Sequence, residues 1–370
     1  MKTSHLTDRR TFLISMAAVG GAAALSPALA SAASETNGKK RNIKLGFDNF
    51  SIRAFNWKAP QLLEYAASLK LDILFLSDLD VYESLEEKYL QGIKQTADKL
   101  GVEIHAGTGS ICPSSKSFNK KHGSAEEHLK LAIRVAKTVG SPVARCLIGS
   151  GEDRKGDGGI YKHIENTITV CKAVRNYALD ANVKIAIENH AGDMQAWELA
   201  ELIQAAGKEY VGATMDPGNA CWTMEDPMVN LEILGPYAAT TGIRDSQIWE
   251  SEKGASVMWT NMGDGLVDWN AYVERFMKLC PGVPFILEVI TGTWVRNVDY
   301  LAESYWTAFP KARAGEFARF LAMAKRGKPY QPKPGRPAGE KSPDLEKQQQ
   351  KWDLEQSLKY CKEALGVGLK

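Results

Sequence analysis

The chain has 370 residues, of which 44% are hydrophobic and 24% are charged. This length suits one large domain, and the composition is that of an ordinary soluble globular protein. The formal net charge is +2, and the basic residues of the first 32 positions account for it. A neutral remainder has no electrostatic attraction to nucleic acid or to an acidic membrane surface, so we expect neither as a partner.

The first residues have the features of an export signal. Arg9 and Arg10 precede an apolar run that reaches Leu25, and small residues around Ala30 offer cleavage sites. Paired arginines in this setting resemble the twin-arginine signal. We therefore expect residues 1–32 to be a twin-arginine signal peptide, the protein to be periplasmic, and no stable membrane insertion after cleavage. A Sec signal and an uncleaved anchor are the alternatives.

Eight short apolar runs then alternate with amphipathic segments. The runs are Ile43–Phe47, Ile73–Leu76, Val102–Ala106, Val143–Leu147, Val183–Ile187, Val211–Met215, Ala238–Ile243 and Phe285–Ile290. Each has the composition of a parallel strand buried on both faces. Intervening segments such as Ala125–Val139 repeat apolar residues with a period near 3.6, which indicates helices. The alternation predicts an α/β fold, a (β/α)₈ TIM barrel. An open doubly wound sheet is the alternative. That fold often carries a phosphate-binding GxGxxG motif after its first strand, and no such motif follows the first run.

A different pattern follows the predicted barrel, which covers residues 42–326. Prolines are frequent between Lys325 and Pro343, which indicates an extended linker. The residues after Pro343 space apolar side chains as a helix does. We therefore expect residues 327–370 to form a C-terminal extension made of a Pro-rich linker and one helix.

Carboxylates occur at the ends of three of these runs. Glu188 follows the fifth run, Asp216 follows the sixth, and Glu288 interrupts the eighth. In a (β/α)₈ barrel the C-terminal ends of the strands meet at one rim, where active sites lie. Three buried carboxylates at one rim repel each other unless a divalent cation holds them. The pattern therefore predicts a metal site, whereas Glu288 taken alone is equally compatible with a salt bridge.

Four motifs carry a family resemblance: Ile187-Glu188-Asn189-His190, Met215-Asp216-Pro217-Gly218-Asn219, Ile243-Arg244-Asp245 and Leu287-Glu288. In order and spacing they resemble the strand-end motifs of the xylose isomerase-like TIM-barrel family, which includes sugar isomerases, ketose epimerases and inosose dehydratases. The resemblance covers roughly Lys44 to Lys325. It implies one divalent metal held by a Glu, an Asp, a His and a second Glu. Carried over, the ligands here are Glu188, Asp216 and Glu288.

The family histidine would fall at Gly242, which is a departure from the pattern. Three interpretations stay open. Water could replace the imidazole, which gives an all-oxygen site that favours Mn²⁺ or Mg²⁺ over Co²⁺ or Zn²⁺. His190 could approach the metal, since it lies two residues after Glu188 and so on the same face of an extended strand. Alternatively the metal site is lost, and the barrel only binds a sugar.

Five further side chains are candidates to bind a sugar substrate: His105, Arg145, His190, Asn219 and Arg244. We expect His105 at the end of strand three and Arg145 in strand four, as walls of the pocket. Arg244 carries a fixed charge and five donors, although pairing with Asp245 or a metal carboxylate is its structural alternative. Tryptophans in the predicted loops after strands six to eight could face a sugar ring or simply pack: Trp222, Trp249, Trp259 and Trp294.

The reaction that we expect is proton transfer at a carbon next to a carbonyl. Glu188 and Glu288 are the catalytic candidates, because one can take a proton and the other can return it. That exchange isomerises or epimerises a sugar. Loss of a β-substituent instead would make the enzyme a dehydratase or lyase of a keto-sugar or keto-glycoside. Export and the absence of a phosphate-cradling glycine-rich loop favour a non-phosphorylated sugar, and a homo-oligomer is compatible with the sequence.

Overall fold

The computed structural model describes residues 40–292 and 294–370. The predicted signal peptide therefore lies outside the described residues. Within the described ranges, no helix has both the length and the apolar character that crossing a membrane requires.

The described residues form a barrel and a smaller sheet. The strands are β1 (Leu45–Asp48), β2 (Ile73–Leu76), β3 (Glu103–Ser110), β4 (Val143–Leu147), β5 (Lys184–Glu188), β6 (Val211–Met215), β7 (Ala238–Thr241), β8 (Asp245–Ser251), β9 (Gly254–Thr260), β10 (Phe285–Leu287) and β11 (Val295–Val298). Eight of them pair in parallel in the order β10-β1-β2-β3-β4-β5-β6-β7. Ile243 closes the ring, because its N–H donates to Ile286 O at 2.6 Å and its carbonyl accepts from Glu288 N at 2.9 Å. The predicted (β/α)₈ TIM barrel is confirmed.

Helices alternate with the barrel strands along the chain. They are α1 (Ala59–Ser68), α2 (Glu87–Leu100), α3 (Ala125–Val139), α4 (Gly159–Ala173), α5 (Arg175–Ala181), α6 (Ala196–Ala206), α7 (Pro217–Ala220), α8 (Pro227–Leu234), α9 (Trp269–Leu279), α10 (Ala314–Arg326) and α11 (Pro343–Glu363). Helix α3 shows why such segments begin and end where they do. Ser124 Oγ accepts from Glu127 N while the Glu127 carboxylate accepts from Ser124 N, and Gly140 ends the helix at φ 80°.

The smaller sheet is built from the segments that follow barrel strands seven and eight. Strands β8 and β9 form an antiparallel hairpin, and β11 pairs with β9. Phe320 and Met323 of α10 belong to the hydrophobic cluster that covers this sheet. Trp249 and Trp259 therefore lie in strands, and their prediction as loop residues is wrong. The segment Gly254–Thr260 lies at the centre of the smaller sheet with six of its seven residues buried, and its small and polar residues interrupt the apolar run by which the barrel strands were predicted.

The C-terminal helix α11 packs in the main core of the barrel. Leu354, Leu358 and Cys361 are buried in the same cluster as the barrel strands. Polar contacts add to this packing, since Gln350 Oε1 accepts from Ala54 N at 2.8 Å in the segment after β1. The proposed domain boundary at residue 326 stays a prediction, but the helix after it shares the hydrophobic core of the strands.

Candidate metal and active site

Three carboxylates from different strands converge at one rim of the barrel. Glu188 ends β5, Asp216 follows β6 and Glu288 follows β10. One carboxylate oxygen from each lies within 4.8 Å of the others. Their exposed fractions are 1%, 0% and 8% respectively. Barrel closure brings these residues together, because they are separated by 28 to 100 positions in sequence.

Two asparagines hold the carboxylates in place. The Asn219 amide nitrogen donates to Glu188 Oε1 at 3.0 Å and to Asp216 Oδ2 at 2.8 Å. The backbone N–H of Asn219 also donates to Asp216 Oδ1 at 2.8 Å, so that Asp216 caps helix α7. The Asn189 side chain pairs with both backbone groups of Asp216, at 2.7 and 3.0 Å, and so ties β5 to β6. Asn189 was missed as a site residue, although it lies inside the quoted Glu188 motif.

Two buried arginines pair with the same carboxylates. Arg145 Nε donates to Glu188 Oε2 at 2.6 Å. Arg244 Nη2 lies 2.5 Å from Asp216 Oδ2 and 2.5 Å from Glu288 Oε2. Burial would lower the pKa of Arg244, but the neighbouring carboxylates outweigh it and raise that pKa. Arg244 thus pairs with two of the predicted metal carboxylates. This pairing is the structural alternative to its predicted role in substrate binding.

Asp48 is a fourth buried carboxylate at this rim. It ends β1, and its Oδ1 accepts from Phe50 N at 2.8 Å and from Ser77 Oγ at 2.7 Å. Burial, and then the negative charge of Glu288, raise its pKa to about 7. Sequence reasoning missed Asp48, although it directly follows an apolar run in the way that Glu188 and Asp216 do.

The site contains more acidic than basic side chains. Four carboxylates, those of Asp48, Glu188, Asp216 and Glu288, face two guanidinium groups, those of Arg145 and Arg244. Burial raises the pKa of Asp216 to about 8 despite the attraction of Arg244. Full ionisation would leave an excess of two negative charges, which one divalent cation would balance.

Gly242 faces the carboxylates. A Cβ atom at this position would lie 3.4 Å from Glu288 Oε2 and 3.5 Å from Asp216 Oδ2. These are ordinary van der Waals distances, so a side chain could start here and point toward the acids. The position at which the family histidine is expected is therefore adjacent to the proposed ligands.

His190 lies at the rim but outside the carboxylate cluster. Its Nδ1 is 2.6 Å from Gly149 O, and because a carbonyl only accepts, Nδ1 carries the proton and Nε2 is the acceptor. Burial, followed by the positive charge of Arg145, lowers its pKa to about 4. Among the described residues, the group able to hold a metal consists of the three carboxylates without His190.

His105 does not lie at the end of strand three. Strand β3 continues to Ser110, so the prediction of a strand-end position is wrong. His105 Nδ1 is 2.7 Å from Thr240 Oγ1 of β7, across the barrel interior, and burial lowers its pKa to about 3. The run appeared to stop at Ala106 because the following Gly, Thr and Ser residues interrupt the apolar pattern.

Comparison with known proteins agrees with this architecture. The family model described as xylose isomerase-like TIM barrel matches residues 63–307. The 3-oxo-isoapionate decarboxylase of Pectobacterium atrosepticum is 19% identical over 233 residues, which are 60% of this chain and 77% of that protein. A D-psicose 3-epimerase crystallised with D-fructose has a TM-score of 0.56 at 14% identity, with 88% of this chain and 100% of that chain covered.

A second solved structure, the IOLI protein with a binding zinc atom, has a TM-score of 0.53 at 14% identity and covers 76% of this chain and 95% of that chain. At such identities these structures show a shared fold. The family model, by contrast, matches well over half of the chain. The chain therefore belongs to the xylose isomerase-like TIM barrel family.

Proposed function

We propose that this protein is a divalent-metal-dependent sugar isomerase or epimerase that transfers a proton at a carbon next to a carbonyl of a non-phosphorylated sugar. The observation that carries the proposal is the convergence of Glu188, Asp216 and Glu288 within 4.8 Å at the C-terminal rim of the barrel. This is the end at which barrel enzymes carry their active sites. The family and its epimerase neighbour support a sugar-modifying enzyme.

The residues at the rim fit a divalent cation. Glu188, Asp216 and Glu288 would hold it through oxygen atoms, which favours Mn²⁺ or Mg²⁺, with Co²⁺ or Zn²⁺ as alternatives. The excess of carboxyl groups over guanidinium groups supports the same assignment, because a bound divalent cation would stabilise their ionised form. When bound, the ion would polarise the substrate carbonyl or the adjacent hydroxyl.

Protein groups supply the proton transfer and the substrate contacts. Glu188 and Glu288 approach from different strands, so one takes the proton from carbon and the other returns it. Glu288 is the more accessible of the two. His190 presents Nε2 as an acceptor for a sugar hydroxyl. Asn219 fixes the orientation of the Glu188 carboxylate by its 3.0 Å hydrogen bond.

A lyase acting on a keto-sugar or keto-glycoside is the second candidate. The relative from Pectobacterium atrosepticum is, by its name, a 3-oxo-isoapionate decarboxylase. Loss of a carboxylate or of a β-substituent starts from the same polarised carbonyl as epimerisation does, so the same rim would serve. The third candidate is a barrel that binds a sugar without turnover. The observation that favours it is Gly242, which stands where the family has a histidine.

Solvent exchange separates these candidates. Free ketoses and keto-glycosides are incubated with the protein and Mn²⁺ in D₂O, and products are followed by NMR. An isomerase or epimerase incorporates deuterium at the carbon next to the carbonyl, and chelation of the metal stops it. As a control, Glu103→Gln removes an exposed carboxylate that pairs with Lys44 at the start of β3. This variant is expected to incorporate deuterium as the wild type does. Cleaved products would support the lyase, whereas binding without exchange or cleavage would contradict an enzymatic role.

We also propose export by the twin-arginine route, which rests on Arg9, Arg10 and the apolar run after them. Replacing both arginines with lysine is expected to leave the precursor in the cytoplasm, since this route does not tolerate the change. Fractionation of the cells measures the result. Unchanged export of the double variant would exclude this route.

A further inference from the structure

Arg244 bridges two of the three proposed metal ligands. Its Nη2 is 2.5 Å from both Asp216 Oδ2 and Glu288 Oε2. These are the same two oxygens that a Cβ at Gly242 would approach to 3.5 and 3.4 Å. Because one nitrogen contacts both acids, the guanidinium stands between them, where a cation shared by the two carboxylates would also have to stand.

We propose that Arg244 is a built-in counter-ion that competes with the divalent cation for the Asp216–Glu288 pair. Metal binding then requires that the guanidinium leaves these oxygens. This inference rests on the proposed metal site and gives Arg244 a task beyond substrate contact. Gly242 permits the arrangement, since an imidazole growing from that position would compete with the guanidinium for the space beside the acids.

A fixed platform holds the guanidinium in this position. Arg244 Cζ lies 4.2 Å from the ring centroid of Trp259, a cation–π contact. Trp259 is itself anchored, because its Nε1 donates to Gly218 O at 3.0 Å and Trp222 stacks on it at 4.2 Å with a 2° angle between the rings. A Cβ at Gly218 would overlap the Arg244 side chain. The close approach of this side chain therefore requires glycine at 218.

The hydrogen bonding of Arg244 is incomplete. Its Nε is buried and has no hydrogen-bond partner among the described residues. An unpaired buried donor is unfavourable. The Arg244 guanidinium therefore neutralises the acids at the cost of one hydrogen bond that its Nε does not make. A guanidinium with an unpaired donor is easier to displace than one whose five donors are all bonded.

Titration of the metal-stripped full protein with Mn²⁺ by calorimetry tests the competition. Arg244→Met removes the competing charge but keeps an unbranched side chain, so we expect its dissociation constant for Mn²⁺ to fall about tenfold or more. The matched control is Arg175→Met, which breaks an exposed ion pair with Glu209 and is expected to bind Mn²⁺ as the wild type does.

The outcomes separate the two proposals. Tighter binding by the Arg244 variant supports the competition. Equal or weaker binding by that variant, with a wild type that binds Mn²⁺, contradicts the competition and leaves the metal-dependent function intact. Binding to neither protein contradicts the metal site itself and therefore both proposals.

The wild-type protein provides a second measurement that does not depend on the folding of the arginine variant. If Mg²⁺ displaces the guanidinium from Trp259, tryptophan emission changes as the ion binds. The change is expected to disappear in Trp259→Phe, while calorimetry still detects Mg²⁺ binding to that variant. Saturation of the wild type with Mg²⁺ without any change in emission would overturn the displacement.

Discussion

Two buried arginines of this barrel have opposite surroundings. Arg154 donates twice to Glu198, at 2.7 and 2.9 Å, and once each to Asp193 O and Ala308 O, at 2.6 and 2.9 Å. Its charge meets one opposite charge, and all three of its nitrogens donate. Arg244 meets two carboxylates, and its Nε has no hydrogen-bond partner in the part of the chain that the structure describes.

The difference indicates what each cluster is for. A buried pair with matched charges and complete hydrogen bonding fixes the chain, and here it joins the segment after β4 to α6. A buried cluster with more acidic than basic groups costs stability and persists where function requires it. Substitutions in the two clusters should therefore differ in whether they impair turnover or stability.

Glu288→Gln is expected to have the largest effect, on turnover. Glutamine keeps the shape of the side chain but cannot transfer the proton, so we expect kcat to fall about 10²- to 10⁴-fold. Stability should change by about 1 kcal/mol or less, because the substitution also removes one of several repelling charges. Steady-state kinetics on the best substrate and urea unfolding measure the two effects. A variant with normal turnover would remove Glu288 from the chemistry.

Arg154→Met is expected to reduce stability rather than turnover. It leaves the Glu198 carboxylate buried without its partner, which costs about 3–5 kcal/mol of unfolding free energy. The double variant Arg154→Met with Glu198→Leu should recover part of that loss, since no unpaired charge remains. Urea unfolding of the three proteins checks this. A single variant as stable as the wild type would show that the pair is not a structural one.

Gly242→His is expected to tighten Mn²⁺ binding about tenfold, because an imidazole would add a strong ligand beside the carboxylates. The effect should grow when the substitution is combined with Arg244→Met, since the guanidinium no longer occupies the neighbouring space. Calorimetry measures both. Position 242 does not face the metal if Gly242→His binds Mn²⁺ as the wild type does and the double variant binds it as Arg244→Met does.

A further expected effect is on the pH dependence of stability. The pKa of Asp48 is raised to about 7 in the folded protein, so the folded state keeps a proton that the unfolded chain loses near pH 4. Stability contributed by this proton is therefore complete below about pH 4 and is lost as pH rises toward about 7, by up to about 1.4 kcal/mol per pH unit. Urea unfolding in EDTA should show this slope, and Asp48→Asn should reduce it.

Much of the fold was predictable from the sequence because burial on both faces leaves a simple signal. Each predicted apolar run corresponds to a barrel strand. The sequence was less informative where polar residues continue a strand, as after His105 in β3. The closing contact at Ile243 is also a property of the closed ring, which no local pattern contains.

The candidate site was predictable only in part, for a similar reason. Glu188, Asp216 and Glu288 stand out as carboxylates within apolar runs, and the structure brings them together. The position of Arg244 between two of them depends on the distance across the rim and on Trp259 of the smaller sheet. The buried pair of Arg154 and Glu198 gave no sequence signal, because both residues lie in polar or amphipathic segments.

The proposed function requires that Glu188, Asp216 and Glu288 hold one divalent cation. A crystal structure of the protein soaked in Mn²⁺, with diffraction recorded at the manganese absorption edge, tests it most directly. We expect one anomalous peak at the rim, about 2.0–2.6 Å from an oxygen of each of the three carboxylates, with the Arg244 guanidinium withdrawn from Asp216 and Glu288. Absence of a peak among these carboxylates at saturating Mn²⁺, with Arg244 still bridging two of them, would contradict it.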